Sequence, residues 1–146
     1  MEERPGFWVR AVANLLDAII VGTVFGLMTL AVYGEFHRDE YNFTDILSLL
    51  YVLLVPVFWN GYLIGKKLLG IRIVKTSGDN VTIWTMLLRC GVGGLVYGVT
   101  IGIGLIVSAF MVGIRYDRRS IHDLIAGTYV AYDSKWSMEV AEKYIR

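Results

Sequence analysis

Three long apolar stretches, separated by short charged clusters, organise this chain. The first, residues 11–34, is interrupted only by Asp17. As a helix rising about 1.5 Å per residue it reaches ~36 Å, enough to cross a hydrocarbon core of about 30 Å. It is too long for the apolar part of a secretion signal, and no small-x-small cleavage pattern follows it. The second, residues 46–65, opens after Thr44 and Asp45, which suit an N-cap and first helical turn. Pro56 predicts a kink, which a membrane helix tolerates when neighbours satisfy the freed carbonyl. Tyr51, Trp59 and Tyr62 place aromatic rings near the expected interfaces.

The third stretch, residues 81–114, carries a single charge, Arg89. One straight helix would reach ~51 Å, too long for a crossing without extreme tilt. Divided in two, each half covers only about 22–25 Å. Glycines recur at Gly91, Gly93, Gly94, Gly98, Gly102, Gly104 and Gly113. The pairs Gly94-x3-Gly98 and Gly98-x3-Gly102 fit close helix packing. A break between 98 and 104, giving a short helical hairpin, fits equally well.

The placement of basic residues separates these readings. If the third stretch crosses once, the 14 Lys and Arg divide evenly between the two faces. If it enters and returns, every one except Arg38 lies on a single face. The positive-inside rule favours the second arrangement, with both termini cytoplasmic. The predicted architecture is an all-α integral membrane protein: two transmembrane helices plus a Gly-rich third segment forming a short or re-entrant hairpin. Three transmembrane helices are the alternative. Asn80 and Thr82 are candidate caps for the third stretch.

Outside the apolar stretches, residues 71–74 and the turn 76–80 read as a short strand and its exit. Residues 128–132 read as a second strand, and the two predict a small cytoplasmic β-ribbon. Trp136, Val140 and Tyr144 recur every four residues among charges, the pattern of an amphipathic helix at a membrane surface or on a partner. A frayed polar tail is the competing reading. We expect one domain, with a core at 7–132 and a tail at 133–146.

Composition agrees with the pattern. Hydrophobic residues make up 55% and charged residues 18%, with a mean hydropathy of +0.55. A soluble enzyme, a disordered regulator and a nucleic-acid-binding domain all fit poorly. The net charge of +1 suggests no polyanionic partner. A lone Cys90 makes neither an internal disulfide nor, by itself, a zinc or iron–sulfur site.

Asp17 leads the candidate chemistry, because an ionisable group within an apolar helix normally faces the protein interior with a partner. Arg10, Asn14 and Asp17 fall on one side of the helix. Asp17 reads either as a proton- or cation-binding carboxylate or as half of a buried ion pair fixing helix register, with Arg89 as a candidate partner. Gly65-Lys66-Lys67 lacks the spacing of a phosphate-binding loop. Lys66 and Lys67 read as helix-end anchors at anionic headgroups, and Arg118 and Arg119 as lipid-phosphate contacts or a solvated cluster. His37 and His122 are isolated, without metal-site spacing. Ser108 and Ser120 lack a nucleophile-elbow context. No cofactor or enzymatic activity is expected.

Several segments resemble the RDD family of small membrane proteins. Arg10-x6-Asp17, with Ala13 between, is similar to its first-helix signature. Gly65-Lys66-Lys67-Leu68-Leu69-Gly70-Ile71-Arg72-Ile73-Val74 resembles the segment after its second helix, and Arg118-Arg119-Ser120-Ile121-His122-Asp123-Leu124-Ile125-Ala126-Gly127-Thr128 its closing motif. Arg10, Asp17 and Asp123 would be the residues that name the family. One departure is Leu63, where members often carry Thr. The resemblance implies a multi-pass protein of a bacterial inner membrane and brings the suggestion of transport, including sodium/proton antiport.

Two roles follow. One is a homo-oligomeric cation/proton transporter using Asp17, since so few helices enclose no water-filled route alone. Gly22-x3-Gly26 and Gly61-x3-Gly65 offer packing faces for such an assembly. The other is a non-catalytic adaptor or regulator bound to another membrane protein. The lipid bilayer is a partner in both, and nucleic acid in neither. A charge-assisted hydrogen bond between Arg10 and Asp123 is predicted at the cytoplasmic boundary. Asp17 is expected deeper, paired with Arg89 or Asn14.

Overall fold

The computed structural model describes residues 4–36 and 39–145, with the side chains of 136, 137, 140, 141, 144 and 145 excepted. The first apolar stretch forms one helix, α1 (Phe7–Tyr33). It ends at Gly34, whose φ of 77° lets its N–H return to the Leu30 carbonyl. The second helix, α2 (Phe43–Phe58), starts earlier than Thr44 and Asp45 suggest. Asn42 is the cap: its Oδ1 accepts from the Thr44 and Asp45 amides, and the Asp45 carboxylate accepts from the Asn42 amide. Thr44 instead turns inward to the Thr29 hydroxyl at 2.5 Å. Phe25 and Tyr51 meet edge to face, so α2 returns along the outer half of α1.

The second apolar stretch does not stay helical to residue 65. Pro56 lies near the end of α2, and the Gly61 amide turns back to the Pro56 carbonyl at 2.6 Å. Asn60 and Gly61 both have positive φ, 52° and 90°. A Cβ at Gly61 would run into the Ile73 carbonyl, so the turn needs glycine on two counts. A short helix, α3 (Ile64–Leu68), and a strand, β1 (Ile71–Lys75), follow.

The third stretch is broken. Thr82 caps α4 (Ile83–Leu87), a π-helical turn spans Leu88–Val92, and α5 (Gly93–Val99) continues it. Ile101 and Gly102, with φ of 51° and 81°, then turn the chain into α6 (Ile103–Ile114). The axis changes by 119°, more than a right angle, so α6 heads back rather than onward. Helix α7 (Ile121–Ala126), strand β2 (Thr128–Tyr132) and helix α8 (Ser134–Ile145) complete the order. The expected apolar face of α8, at Trp136, Val140 and Tyr144, lies outside the described side chains, and His37 and Arg38 lie outside the described residues.

The two strands pair antiparallel with Ile73 opposite Val130. Alternation puts Ile71, Ile73 and Val130 on one face. Ile71 and Val130 close on Ala13 of α1, while Ile73 joins Val81 and Met86 with Leu53 and Val57 of α2 packed alongside. The ribbon and α3 therefore form a cap over the start of α1 and the end of α2. Beyond Asp17, α1 continues past the cap, and many of its apolar side chains face outward: Ile19, Val24, Leu27 and Val32 are all more than half exposed.

Backbone contact between α3 and α1 makes Gly65 a sensitive position, because a Cβ there would lie 2.7 Å from both the Ala13 carbonyl and the Asp17 amide. Gly65→Ala should destabilise the protein by about 1–3 kcal/mol. Gly94→Ala, where a Cβ meets nothing within 4 Å, should be neutral or stabilising by up to about 1 kcal/mol. Unfolding in a mild detergent measures both.

Candidate functional site: a buried charge cluster at the base of the first helix

Arg10, Asn14 and Asp17 line one side of the first turns of α1, and each meets a side chain from a distant part of the chain. Asp123, wholly buried in α7, is the centre. Its Oδ2 accepts from Arg10 Nη2, from the Ser120 amide at 3.2 Å and from Ser120 Oγ at 2.8 Å. Its Oδ1 accepts from Arg89 Nη1 and from Thr128 Oγ1 at 3.3 Å. Arg10 also donates to the Arg118 carbonyl at 2.6 Å, and Arg89 to Thr128 Oγ1 at 2.9 Å. Arg10 and Asp123 thus meet as the sequence predicts, and Arg89 joins them. The π-helical turn holds Arg89. Such a turn adds a residue to the helical repeat and so changes which side chains face inward.

The second centre differs from expectation. Asp17 pairs with neither Arg89 nor Asn14. Its Oδ1 accepts from the Gly65 amide at 2.7 Å and its Oδ2 from Lys66 Nζ at 2.7 Å. Lys66 donates a further bond to Asn14 Oδ1 at 2.9 Å. Lys66 is therefore no headgroup anchor: it is 7% exposed, because α3 lies directly against α1. Lys67 is exposed, with its ammonium 4.4 Å from the Trp59 ring centre. Arg118 donates to the Arg4 carbonyl at 2.6 Å, and Arg119 to the Thr128 and Asp123 carbonyls at 2.9 and 3.3 Å. These two arginines brace the closing segment rather than forming a free solvated cluster.

A directional hydrogen-bonded chain runs out of the cluster. Tyr97 Oη lies 3.0 Å from Ser108 Oγ and 2.5 Å from His122 Nδ1, and His122 Nε2 lies 3.0 Å from Ser120 Oγ. Ser120 donates its hydroxyl proton to Asp123 and accepts from His122 Nε2–H. Nδ1 then accepts from Tyr97, which in turn accepts from Ser108. Neutral His122 satisfies every link. Burial, followed by the Arg89 charge, pushes its pKa down to about 3. Burial alone would raise the Asp123 pKa, but Arg89 and Arg10 outweigh it and hold the carboxyl well below its ordinary range. Burial lowers the Lys66 pKa against the opposing pull of Asp17.

Sequence reasoning weighed His122 only as a metal ligand and Ser108 and Ser120 only as nucleophiles, and gave Tyr97 and Thr128 no role. For Ser120 a signal existed, since Ser followed three positions later by Asp is a helix-start pattern. Nothing in the spacing links Tyr97 to His122. Among the described residues, no group of three or more His, Cys, Asp or Glu comes together as a metal site would require.

The cluster brings Arg10 and Asp17 of α1 together with Lys66 of α3 and Asp123 of α7. Residues 4–127 match the RDD family, and the chain belongs to it. It is 48% identical to the Bacillus subtilis protein YckC across 97% of this chain and 93% of that one. It is 31% identical to YteJ of the same organism, described as a membrane protein, across 88% and 80%. YxaI, also from B. subtilis, is 26% identical across 90% and 99%. No solved structure matches.

Asp123→Ala strands two guanidiniums and should cost more than Arg10→Ala, which leaves Asp123 with Arg89. Breaking a buried pair costs about 3–5 kcal/mol, so Asp123→Ala should meet or exceed that range in denaturant unfolding. The histidine gives a second test. The unfolded chain protonates His122 near its ordinary 6.5, whereas the folded chain resists until about 3. Its contribution is complete above the unfolded value and declines as pH falls through that window. The unfolding midpoint should fall as the pH drops below about 6.5 toward 3, and His122→Gln should flatten that slope.

Proposed function

We propose that this RDD-family chain is a multi-pass protein of the cell membrane that acts as a non-catalytic adaptor or regulator of another membrane protein. Its outward surface supports membrane insertion. Only 11% of the most apolar window of α1 is buried, the reverse of a soluble core helix. From Ala18 outward, α1 offers about 24 Å, and α2 about the same. The cap stays on one side of that slab. The α5–α6 turn returns the chain to the same side as a re-entrant hairpin, leaving both termini cytoplasmic with the basic residues.

One observation carries the choice of role: Asp17 already has a donor on each oxygen, the Gly65 amide and Lys66. A carboxylate that exchanges H⁺ for a metal cation needs a free oxygen and an open route, and Lys66 holds a competing charge at that place. Both carboxylates of this base are bonded on each oxygen by groups of the chain itself, the arrangement of a rigid platform. Its outward helices are then free to seat a partner's helices.

Proteoliposomes containing the purified chain should show sodium/proton exchange no greater than empty vesicles, while crosslinking in native membranes should recover a heteromeric complex. Robust flux abolished by Asp17→Asn would overturn the adaptor reading in favour of a homo-oligomeric transporter.

A further inference from the structure

The buried cluster is unbalanced. Among the described residues, the buried charged side chains are Arg10, Lys66 and Arg89 against Asp17 and Asp123, a surplus of one positive charge. Half-buried Arg119, bonded to carbonyl oxygens, adds to that side, and neutral His122 offsets none of it. A buried surplus charge is costly unless something compensates it. Beside the cluster lies a cavity of about 10 Å³, lined by Arg10, Asn14, Lys66, Arg89, Ile71 and Val130. All three cations reach its wall, and neither carboxylate does. Such a volume holds roughly one water-sized particle.

The donors exceed their partners in number as well. Lys66 has three N–H groups, and Asn14 and Asp17 take two. Arg89 has five, and the bonds to Asp123 and Thr128 both leave from Nη1. Asn14, an exposed residue at the rim of the cavity, spends its oxygen on Lys66, which leaves its NH₂ group as a donor. A site walled by cations, an amide and two aliphatic side chains offers a guest donors and almost no acceptors. Water uses both kinds of partner, whereas an anion uses donors alone.

We propose that this cavity binds one small monovalent anion of the halide class, held among Arg10, Asn14, Lys66 and Arg89. The anion neutralises the surplus and completes the cluster that locks α3 and the π-helical turn onto α1. Its size excludes phosphate, sulfate and lipid headgroups. The site stands independently of the adaptor reading.

Chloride is the probe. The purified full chain in detergent is unfolded thermally in sodium chloride and in sodium gluconate at equal ionic strength, and chloride-35 NMR linewidths are titrated alongside. A saturable rise of the unfolding midpoint in chloride is expected, with line broadening displaced by bromide. Lys66→Gln removes the surplus charge and should weaken chloride binding about ten- to hundredfold. Asn14→Asp supplies the missing negative charge from the protein itself. It should retain the fold in gluconate and lose the chloride response, which keeps the test sound if Lys66→Gln fails to fold. Equal midpoints in both salts, with no excess broadening, would overturn the proposal and leave deprotonation of Lys66 to resolve the surplus. A chloride response unchanged in Asn14→Asp would overturn it as well.

Discussion

Asp123 is the constraint on which the rest of the structure depends. A carboxylate with no solvent contact is tolerable only when its charge is answered and both oxygens are bonded. Here the answers come from opposite ends of the chain: Arg10 from the first helix, Arg89 from the π-helical turn, and Ser120 and Thr128 from the closing segment. A well-packed apolar core could supply comparable stability, since buried ion pairs often do no better than hydrophobic replacements. What an apolar contact lacks is directionality. Two guanidiniums on one carboxylate fix the rotation of α1 and the position of α7 relative to α4 and α5 together.

The base of α1 is therefore closer to a small polar domain than to a membrane helix. From Val9 to Asp17 it packs against the ribbon and α3, and its other long stretch runs outward with apolar side chains exposed. This division changes the meaning of Asp17. Hydropathy places it inside a continuous apolar stretch and makes it look deep. The fold places it where α3 crosses, beside a backbone amide and an ammonium. A charge that seems to need a special role is met at the junction between the cap and the outer helices.

Much of this was legible in the residues. The ribbon could be read because 71–74 and 128–132 are short β-branched and aromatic runs bounded by turn residues. The Arg10–Asp123 contact could be read because both charges flank apolar segments on the face favoured by the basic residues. The break at Ile101–Gly102 falls inside the window that glycine density marks, although spacing alone left it open. The partner of Asp17 was not legible. Lys66 and Lys67 are identical neighbours in sequence, and only the short helix α3, entered through the left-handed Asn60 and Gly61, turns one inward and leaves the other over Trp59. Nor was Arg89 assignable. Its direction depends on the π-helical turn, a tertiary adjustment that a regular helical repeat does not forecast. The Tyr97–His122 contact joins two helices separated by the whole of α6, and nothing in one sequence reports such a distance.

Sequence separation also orders how this site can be completed. Asp17 waits for Gly65 and Lys66, 48 and 49 positions along the chain, whereas Arg10 waits for Asp123, 113 positions away. Because loop-closure cost grows only slowly with length, the longer wait is a matter of order more than of free energy. The α1–α2–α3 unit can form with its own ion pair satisfied, while Arg10 remains without its carboxylate until α7 exists. Strand β1 likewise waits for β2, and Ile71 lacks Val130 as a packing partner until then. The closing segment thus brings three missing pieces at once: a counter-charge for two arginines, an edge for the ribbon, and an apolar partner for Ala13. All three converge on residues 118–132. That segment acts as a latch, and the charge at its centre makes the latched state distinct from any partly packed alternative.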